Sequence, residues 1–459
     1  MMIRLLILTV LMNIGSKLNA EGRANNPALL SSDTSKPWRL ITLDPGHFHA
    51  ALIQKSMYPE VDGNVHVYAP KGNDVKLHLN RINGYNTRPA APTSWKEHVY
   101  EGEDFFNRML SDKQGNIVML AGNNRKKTEY ILSSIKGGFH VYADKPMVIN
   151  ASSLPLLEEA FKVAKKKKLL LYDIMTERYE ITTMIQKDLS LSPQIFGKLV
   201  KGSSEDPAIT KESVHHFYKE VSGSPLQRPA WFYDVEQEGE GIVDVTTHLV
   251  DLVQWEAFPE QVIRKKDIVI NQAKRWNTAV SLPEFTASTA AVDYPDYLKK
   301  YVDAKGVLQV SSNGEINYTI KGVHAKVSVI WNYKAEPGGG DTHFSIMRGT
   351  LTDLVIRQGR EQKFQPKLYI EKKAGLTAEA VEIAFKQLEQ KYPGITLVAN
   401  DKGWEVVIPD SYREGHEAHF ARVTEKYLGF LKAGELPAWE VPNMIVKYYT
   451  TTQALLKSK

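Results

Sequence analysis

From Trp38 to Tyr172 the chain alternates short apolar runs with segments of helical spacing, and no other feature constrains its fold as tightly. The apolar runs are Trp38 to Leu43, Val65 to Tyr68, Ile117 to Leu120, Phe139 to Ala143 and Leu169 to Tyr172. Helical spacing falls between them at His49 to Met57, Phe105 to Leu110, Thr128 to Ile135 and Leu154 to Lys168. Strands joined through helices of this length predict a parallel, doubly wound α/β sheet, because parallel neighbours need a crossover.

From about Ser192 the pattern changes. Lys198 to Gly202, His215 to Tyr218, Lys305 to Ser311, Gly314 to Ile320, Ala325 to Trp331 and His343 to Arg348 read as antiparallel strands, interrupted by a helix from about Val243 to Trp255. These predict an α+β domain with an open, mostly antiparallel sheet. A smaller unit follows, with strands at Lys367 to Ile370, Ile395 to Val398 and Trp404 to Ile408, and helices at Thr377 to Lys391, His416 to Lys432 and Asn443 to Leu456. The expected organisation is a signal peptide over 1–20, a Rossmann-like domain over 37–180, an α+β domain over 181–360, and a C-terminal extension over 361–459 packing on the second domain.

The signal assignment rests on Arg4, the apolar run Leu5 to Ile14 and the small and polar stretch Gly15 to Ala20. That layout predicts a secretory signal, cut after Ala20, and so a mature chain in the periplasm or outside the cell. The run is too short for membrane insertion, which needs ~20 apolar residues. With no cysteine among 459 residues, disulfides, thiolate metal sites and cysteine nucleophiles are excluded. A net charge of +5, without a basic block interleaved with aromatics, argues against nucleic-acid binding.

Two segments carry chemistry. Ala143-Asp144-Lys145-Pro146 ends a predicted parallel strand, where ligands of open α/β sheets sit. On a helix, Asp244, His248 and Asp251 fall at i, i+4 and i+7 and share one face, beside an apolar face of Val245, Leu249 and Leu252. A histidine flanked by carboxylates can exchange a proton near neutral pH. Taken singly, Lys145 reads equally as an exposed loop lysine, and spacing alone favours His248 as a structural histidine hydrogen-bonded in a core helix. Asp44, His47 and His49 offer nitrogen and oxygen ligands, but no fourth ligand can be named, and no metal site is assigned.

Together the two segments resemble the Gfo/Idh/MocA oxidoreductases, the glucose–fructose oxidoreductase and inositol dehydrogenase family. Asp144-Lys145-Pro146 resembles that family's Glu-Lys-Pro, and Asp244-x-x-x-His248 followed by Leu249-x-Asp251 resembles its Asp–His helix. Ala121-Gly122-Asn123-Asn124 stands where the family has a Pro-Asn turn beside the nicotinamide. Gly137-Gly138-Phe139-His140-Val141, Trp231 and Gly349-Thr350-Leu351 extend the likeness, which runs from Trp38 to Gly359. It is nearest to an exported bacterial branch with a C-terminal extension.

The resemblance implies NAD or NADP as cofactor and a sugar, glycoside or cyclitol as substrate, with a transient keto-sugar and a tightly held cofactor among its outcomes. It makes Lys145, His248 and Asp244 catalytic. It assigns Asp44, Gly46, His47, Asn123, Asn124 and Lys145 to the cofactor, and Arg178, Tyr179, Trp231 and Asp251 to the substrate. The open sheet predicts a homo-oligomer that covers it. The chain departs from the family at G-x-G-x-x-G: Gly46 and His49 fit the third glycine and a downstream histidine, leaving Ile41 and Leu43 at the first two glycine positions. Ala69-Pro70-Lys71 brings no acid for the ribose hydroxyls. The alternative is a non-catalytic carbohydrate-binding protein that kept the fold without the cofactor.

Overall fold

A computed structural model describes residues 37–221 and 224–458. The expected signal peptide over 1–20 lies outside the described residues. The first sheet contains β1 (Leu40–Leu43), β2 (Asn64–Ala69), β3 (Lys96–Glu101), β4 (Ile117–Leu120), β5 (His140–Asp144) and β6 (Leu171–Ile174), ordered β3-β2-β1-β4-β5-β6 with every pair parallel. Helices α1 (His49–Leu52), α2 (Asn73–Thr87), α3 (Phe105–Asp112), α4 (Lys127–Gly137) and α5 (Leu154–Lys167) connect the strands. Strands β1 and β4 are buried along their length, and apolar but for Thr42, because both faces of a doubly wound sheet are covered. The strand order reverses between β1 and β4, and the crevice outside their carboxyl ends is where such folds bind ligands.

The second sheet has nine strands, ordered β10-β11-β12-β7-β13-β14-β15-β17-β16. They are β7 (Ile209–Tyr218), β10 (Ile268–Val280), β11 (Leu308–Ile320), β12 (Val323–Lys334), β13 (Thr342–Arg348), β14 (Thr352–Arg357), β15 (Lys367–Lys372), β16 (Thr396–Asn400) and β17 (Gly403–Val407). Only β7 and β12 pair in parallel; the other neighbours are antiparallel. The strands β8 (Glu220–Val221) and β9 (Ser224–Pro225) form a small separate hairpin. Helices α6 (Ile181–Ser190), α7 (Thr246–Ala257), α8 (Leu282–Thr289), α9 (Asp296–Lys299), α10 (Ala378–Lys391), α11 (His416–Ala433) and α12 (Glu440–Lys457) complete the chain. Among the described residues no helix is long and apolar enough to cross a membrane.

The sheet crosses residue 360 without a break, since β15, β17 and β16 pair onto β14. The boundary expected there therefore falls inside a structural unit. The last two helices also depart from expectation. α12 packs on α7 and β10, but α11 lies on the Rossmann core rather than on the second domain. Its Tyr427 ring stacks on Tyr142 at 4.7 Å between centroids, and Phe420 joins the same core. The extension thus ties the two domains together and carries His416, the first residue of α11, to the crevice.

Candidate active site

The site is built where β1 and β5 end. β1 stops at Leu43, so Asp44 to Phe48 form the loop between β1 and α1. Asp44 adopts a left-handed φ of 49°, a conformation that favours glycine. Gly122, just after β4, lets the backbones meet: a Cβ there would lie 2.2 Å from the Asp44 carbonyl oxygen. The Gly46 and His47 amides both donate to the Ala121 carbonyl, at 3.2 and 3.1 Å.

At the end of β5, Asp144 Oδ2 lies 2.9 Å from His49 Nδ1 and 3.6 Å from His47 Nδ1. Burial alone would push the Asp144 carboxyl up, but His49, His47 and Lys127 hold it well below the usual carboxylate range. The next residue, Lys145, places Nζ 2.5 Å from Asp244 Oδ1. Burial opposes its charge, yet Asp244 and Asp144 outweigh burial and raise its pKa. Asp244 sits in the turn before α7, and His248 lies one turn along on the same side. Burial, then the Lys145 charge, pushes His248 well below the ordinary histidine range, so its ring is neutral at pH 7. Its Nδ1 is buried without a hydrogen-bond partner among the described residues.

These groups open onto a cavity of about 850 Å³ between the domains, lined by His47, His49, Lys145, Asp244 and His248. Four further lining features were not singled out from the sequence. Glu238 is buried against Asn124, and burial with the Asp244 charge pushes its carboxyl well up. Glu177 lies across from His416. Asp341 accepts from Lys219 at 2.7 Å and meets His215 and His216 at 3.1 and 3.2 Å. The Arg228 guanidinium lies 4.3 Å over the Phe232 ring, beside Trp331. Only the run Glu236-Gln237-Glu238 upstream of Asp244 offered a local signal for any of them.

Other expected residues lie elsewhere. Arg178 and Asp251 do not line the cavity. The guanidinium grips the carboxylate through two contacts of 2.7 Å and also meets Glu440, while Lys447 holds Asp251 at 2.9 Å. Their charges neutralise one another in a buried network, which corrects their assignment to the substrate. Tyr179 is half-buried beside the Rossmann core and also does not line the cavity. Trp231 lies over the glycine loop instead: its Nε1 donates to Asp74 Oδ2 at 2.7 Å, and a Cβ on Gly46 would lie 2.9 Å from its ring.

A dinucleotide can be tested against this geometry end by end. The nicotinamide end fits: Lys145 and Asp244 face His248, and Asn124 keeps a buried Oδ1 without a partner among the described residues. The pyrophosphate end does not. Its loop amides are bonded to Ala121, the indole covers Gly46, and two carboxyls stand beside it. One of these, Asp44, is pushed up to about 6 by burial and by the neighbouring Asp74. Asn123 and Asn124 are bonded to Gln237 and Glu238, so the second domain closes this edge. As it stands, the closed edge does not accept the cofactor in the family's manner.

Residues 185–459 match the family described as "Putative oxidoreductase C terminal domain". A crystal structure described as a "putative oxidoreductase", from Parabacteroides merdae, is 55% identical, with a TM-score of 0.91 over 92% of this chain and 98% of that one. A 3-ketoreductase from Actinomadura kijaniata, in complex with NADP and TDP-benzene, is 14% identical, with a TM-score of 0.57 over 92% of this chain and 98% of that one. Biliverdin reductase from Synechocystis, in complex with biliverdin and NADP+, is 10% identical, with a TM-score of 0.54 over 92% and 99%. At such identities the last two show a shared fold. No curated protein matches the chain. On the family match and the 55% identity, the chain belongs to the Gfo/Idh/MocA-type oxidoreductases that carry a distinct C-terminal domain.

Proposed function

We propose that the chain is an NAD- or NADP-dependent oxidoreductase acting on a hydroxyl or carbonyl carbon of a small polyhydroxylated molecule such as a sugar, glycoside or cyclitol. The observation that carries this is the Lys145–Asp244 pair facing His248 at the end of β5, inside the cavity between the domains. NAD or NADP would supply the hydride chemistry, as the family membership implies, and binding either one requires the contact between Trp231 and Asp74 to open. The chain's own residues handle the proton. His248, neutral at pH 7, takes it from a substrate hydroxyl or returns it to a carbonyl oxygen. Lys145 stays charged and stabilises negative charge on that oxygen, and Asp244 fixes its ammonium group. Phe232 and Trp331 give the cavity wall apolar faces suited to the C–H face of a sugar ring, and polar side chains surround them. We further propose that the chain is exported by the segment 1–20 and assembles as a homo-oligomer through the open sheet.

The test is turnover of sugar and cyclitol substrates with both cofactors in His248→Ala and Lys145→Ala. Each variant is expected to lose about 100-fold or more, with an unchanged circular dichroism spectrum. Near-normal turnover in His248→Ala overturns the proposed role of the histidine.

A further inference from the structure

We propose that Arg228 binds a carboxylate carried by the substrate, so that the cavity takes a sugar acid, an aldonate or a uronate, in preference to a neutral sugar. Arg228 is 4% exposed and lines the cavity. Its backbone amide donates to the Ser288 carbonyl at 2.8 Å, its Nε to the Phe217 carbonyl at 2.6 Å and its Nη2 to the His216 carbonyl at 2.9 Å. The ring centres of Phe232 and Trp331 lie 4.3 and 5.4 Å from its Cζ. These contacts fix the guanidinium before any ligand arrives, and they occupy only one edge of its fork. Nε and Nη2 face the backbone of β7, while Nη1 donates to no group among the described residues and is not sealed off by neighbouring atoms.

A buried charge is costly unless it is paired. Lys145 and Lys219, which line the same cavity, each have a carboxylate partner, in Asp244 and Asp341. Arg228 has none among the described residues, and burial opposes its charge, while Asp341, Glu238 and Asp244 act on it only from a distance. An arriving carboxylate meets two parallel N–H groups, one on Nη1 and the remaining one on Nη2, the arrangement that holds a carboxylate by two bonds. Asp341 and Asp244 count against a phosphate, whose second charge they would repel. Arg228 and Asp244 are within electrostatic reach of each other, so one molecule of sugar size can place its carboxylate on Arg228 and a hydroxyl-bearing carbon at Lys145 and His248. That the carboxylate belongs to a sugar rests on the proposed function; the anion site itself rests on the guanidinium.

The experiment is calorimetric titration of the full chain at low salt, without nicotinamide, with glucuronate, galacturonate and gluconate, and with glucose, galactose and glucose 6-phosphate for comparison. At least one acid is expected to bind about tenfold or more tighter than its neutral parent. Arg228→Gln should weaken binding of that acid about 10- to 100-fold and leave the neutral sugars unchanged. Arg228→Lys, which keeps the charge without the fork, should retain part of the preference. The side chain also holds two backbone carbonyls, so circular dichroism checks that each variant folds. If Arg228→Gln does not fold, the wild type still decides: acids that bind no tighter than their neutral parents overturn the proposal. An acid preference that survives in folded Arg228→Gln overturns it too, and glucose 6-phosphate binding tighter than every acid overturns the choice of carboxylate. Acid binding lost in Arg228→Gln supports the site even if no substrate is turned over with either nicotinamide, a failure that would fall on the proposed function alone.

Discussion

His78 sits on α2 with both ring nitrogens buried and without a partner among the described residues. Burial pushes its pKa down to about 3, so the folded protein holds the ring neutral where an unfolded chain would charge it. The sign follows from proton counting. Below the unfolded pKa of about 6.5 the unfolded state binds the extra proton, so stability falls as pH falls towards 3, by about 2 kcal/mol at pH 5. His78→Leu should therefore unfold less steeply with acid, the variant gaining on the wild type by about that amount between pH 8 and pH 5. Chemical denaturation at the two pH values checks it, and parallel curves would contradict it. At this scale the legible residues were those placed by a local rule: Lys145 by a strand end, Asp244 and His248 by helical spacing. Asp144 as a partner of His49, 95 positions away, and Asp341 as the meeting point of His215, His216 and Lys219 have no local rule behind them.

Helix α7 shows why a correct element can carry a wrong assignment. The spacing of Asp244, His248 and Asp251 implied one functional face, but the helix begins at Thr246 and only the first two open onto the cavity. Asp251 turns towards α12, where Lys447 and Arg178 surround it; Tyr448 and Lys447 likewise hold Asp173. Burial would push the Asp251 carboxyl up, yet the two cations hold it well below its usual range. Removing one partner from such a network leaves buried charge uncompensated, so Asp251→Ala should cost about 3–5 kcal/mol of stability. Thermal unfolding checks the cost, and a variant that unfolds like the wild type but loses substrate affinity would restore the substrate role. The elements missed in the sequence share a cause. α2 buries little along its polar length, β3 is an edge, and β10 is mostly exposed, so none of them shows an apolar period. Lys305 to Ser311 and Gly314 to Ile320 read as two strands, with Gly314 at the start of the second. Gly314 lies instead inside β11, where a Cβ would meet Ile242 at 2.6 Å.

At the scale of the whole molecule the two domains are joined on both sides of the crevice, by α11 behind it and by the segment around Trp231 in front. The front join decides access to the cofactor edge. Trp231 is 9% exposed, its indole closes over Gly46, and its hydrogen bond to Asp74 fixes it there. Asp74 adds a carboxylate where a pyrophosphate would bring negative charge, and like charges a few ångströms apart in a partly buried site repel. If the cofactor enters by displacing this contact, the energy of the closed contact is subtracted from its binding energy. Trp231→Phe removes the hydrogen bond, and Asp74→Asn removes the charge while keeping an acceptor for the indole. Each should tighten binding of NAD or NADP by about tenfold, equivalent to about 1.4 kcal/mol. Fluorescence titration with the reduced cofactors reads this directly, and melting temperatures close to wild type show that the domains remain joined. Weaker binding in Trp231→Phe would instead make the indole part of the cofactor's own contact surface. Two variants that bind no better than the wild type would mean that the crevice takes its cofactor elsewhere, or takes none.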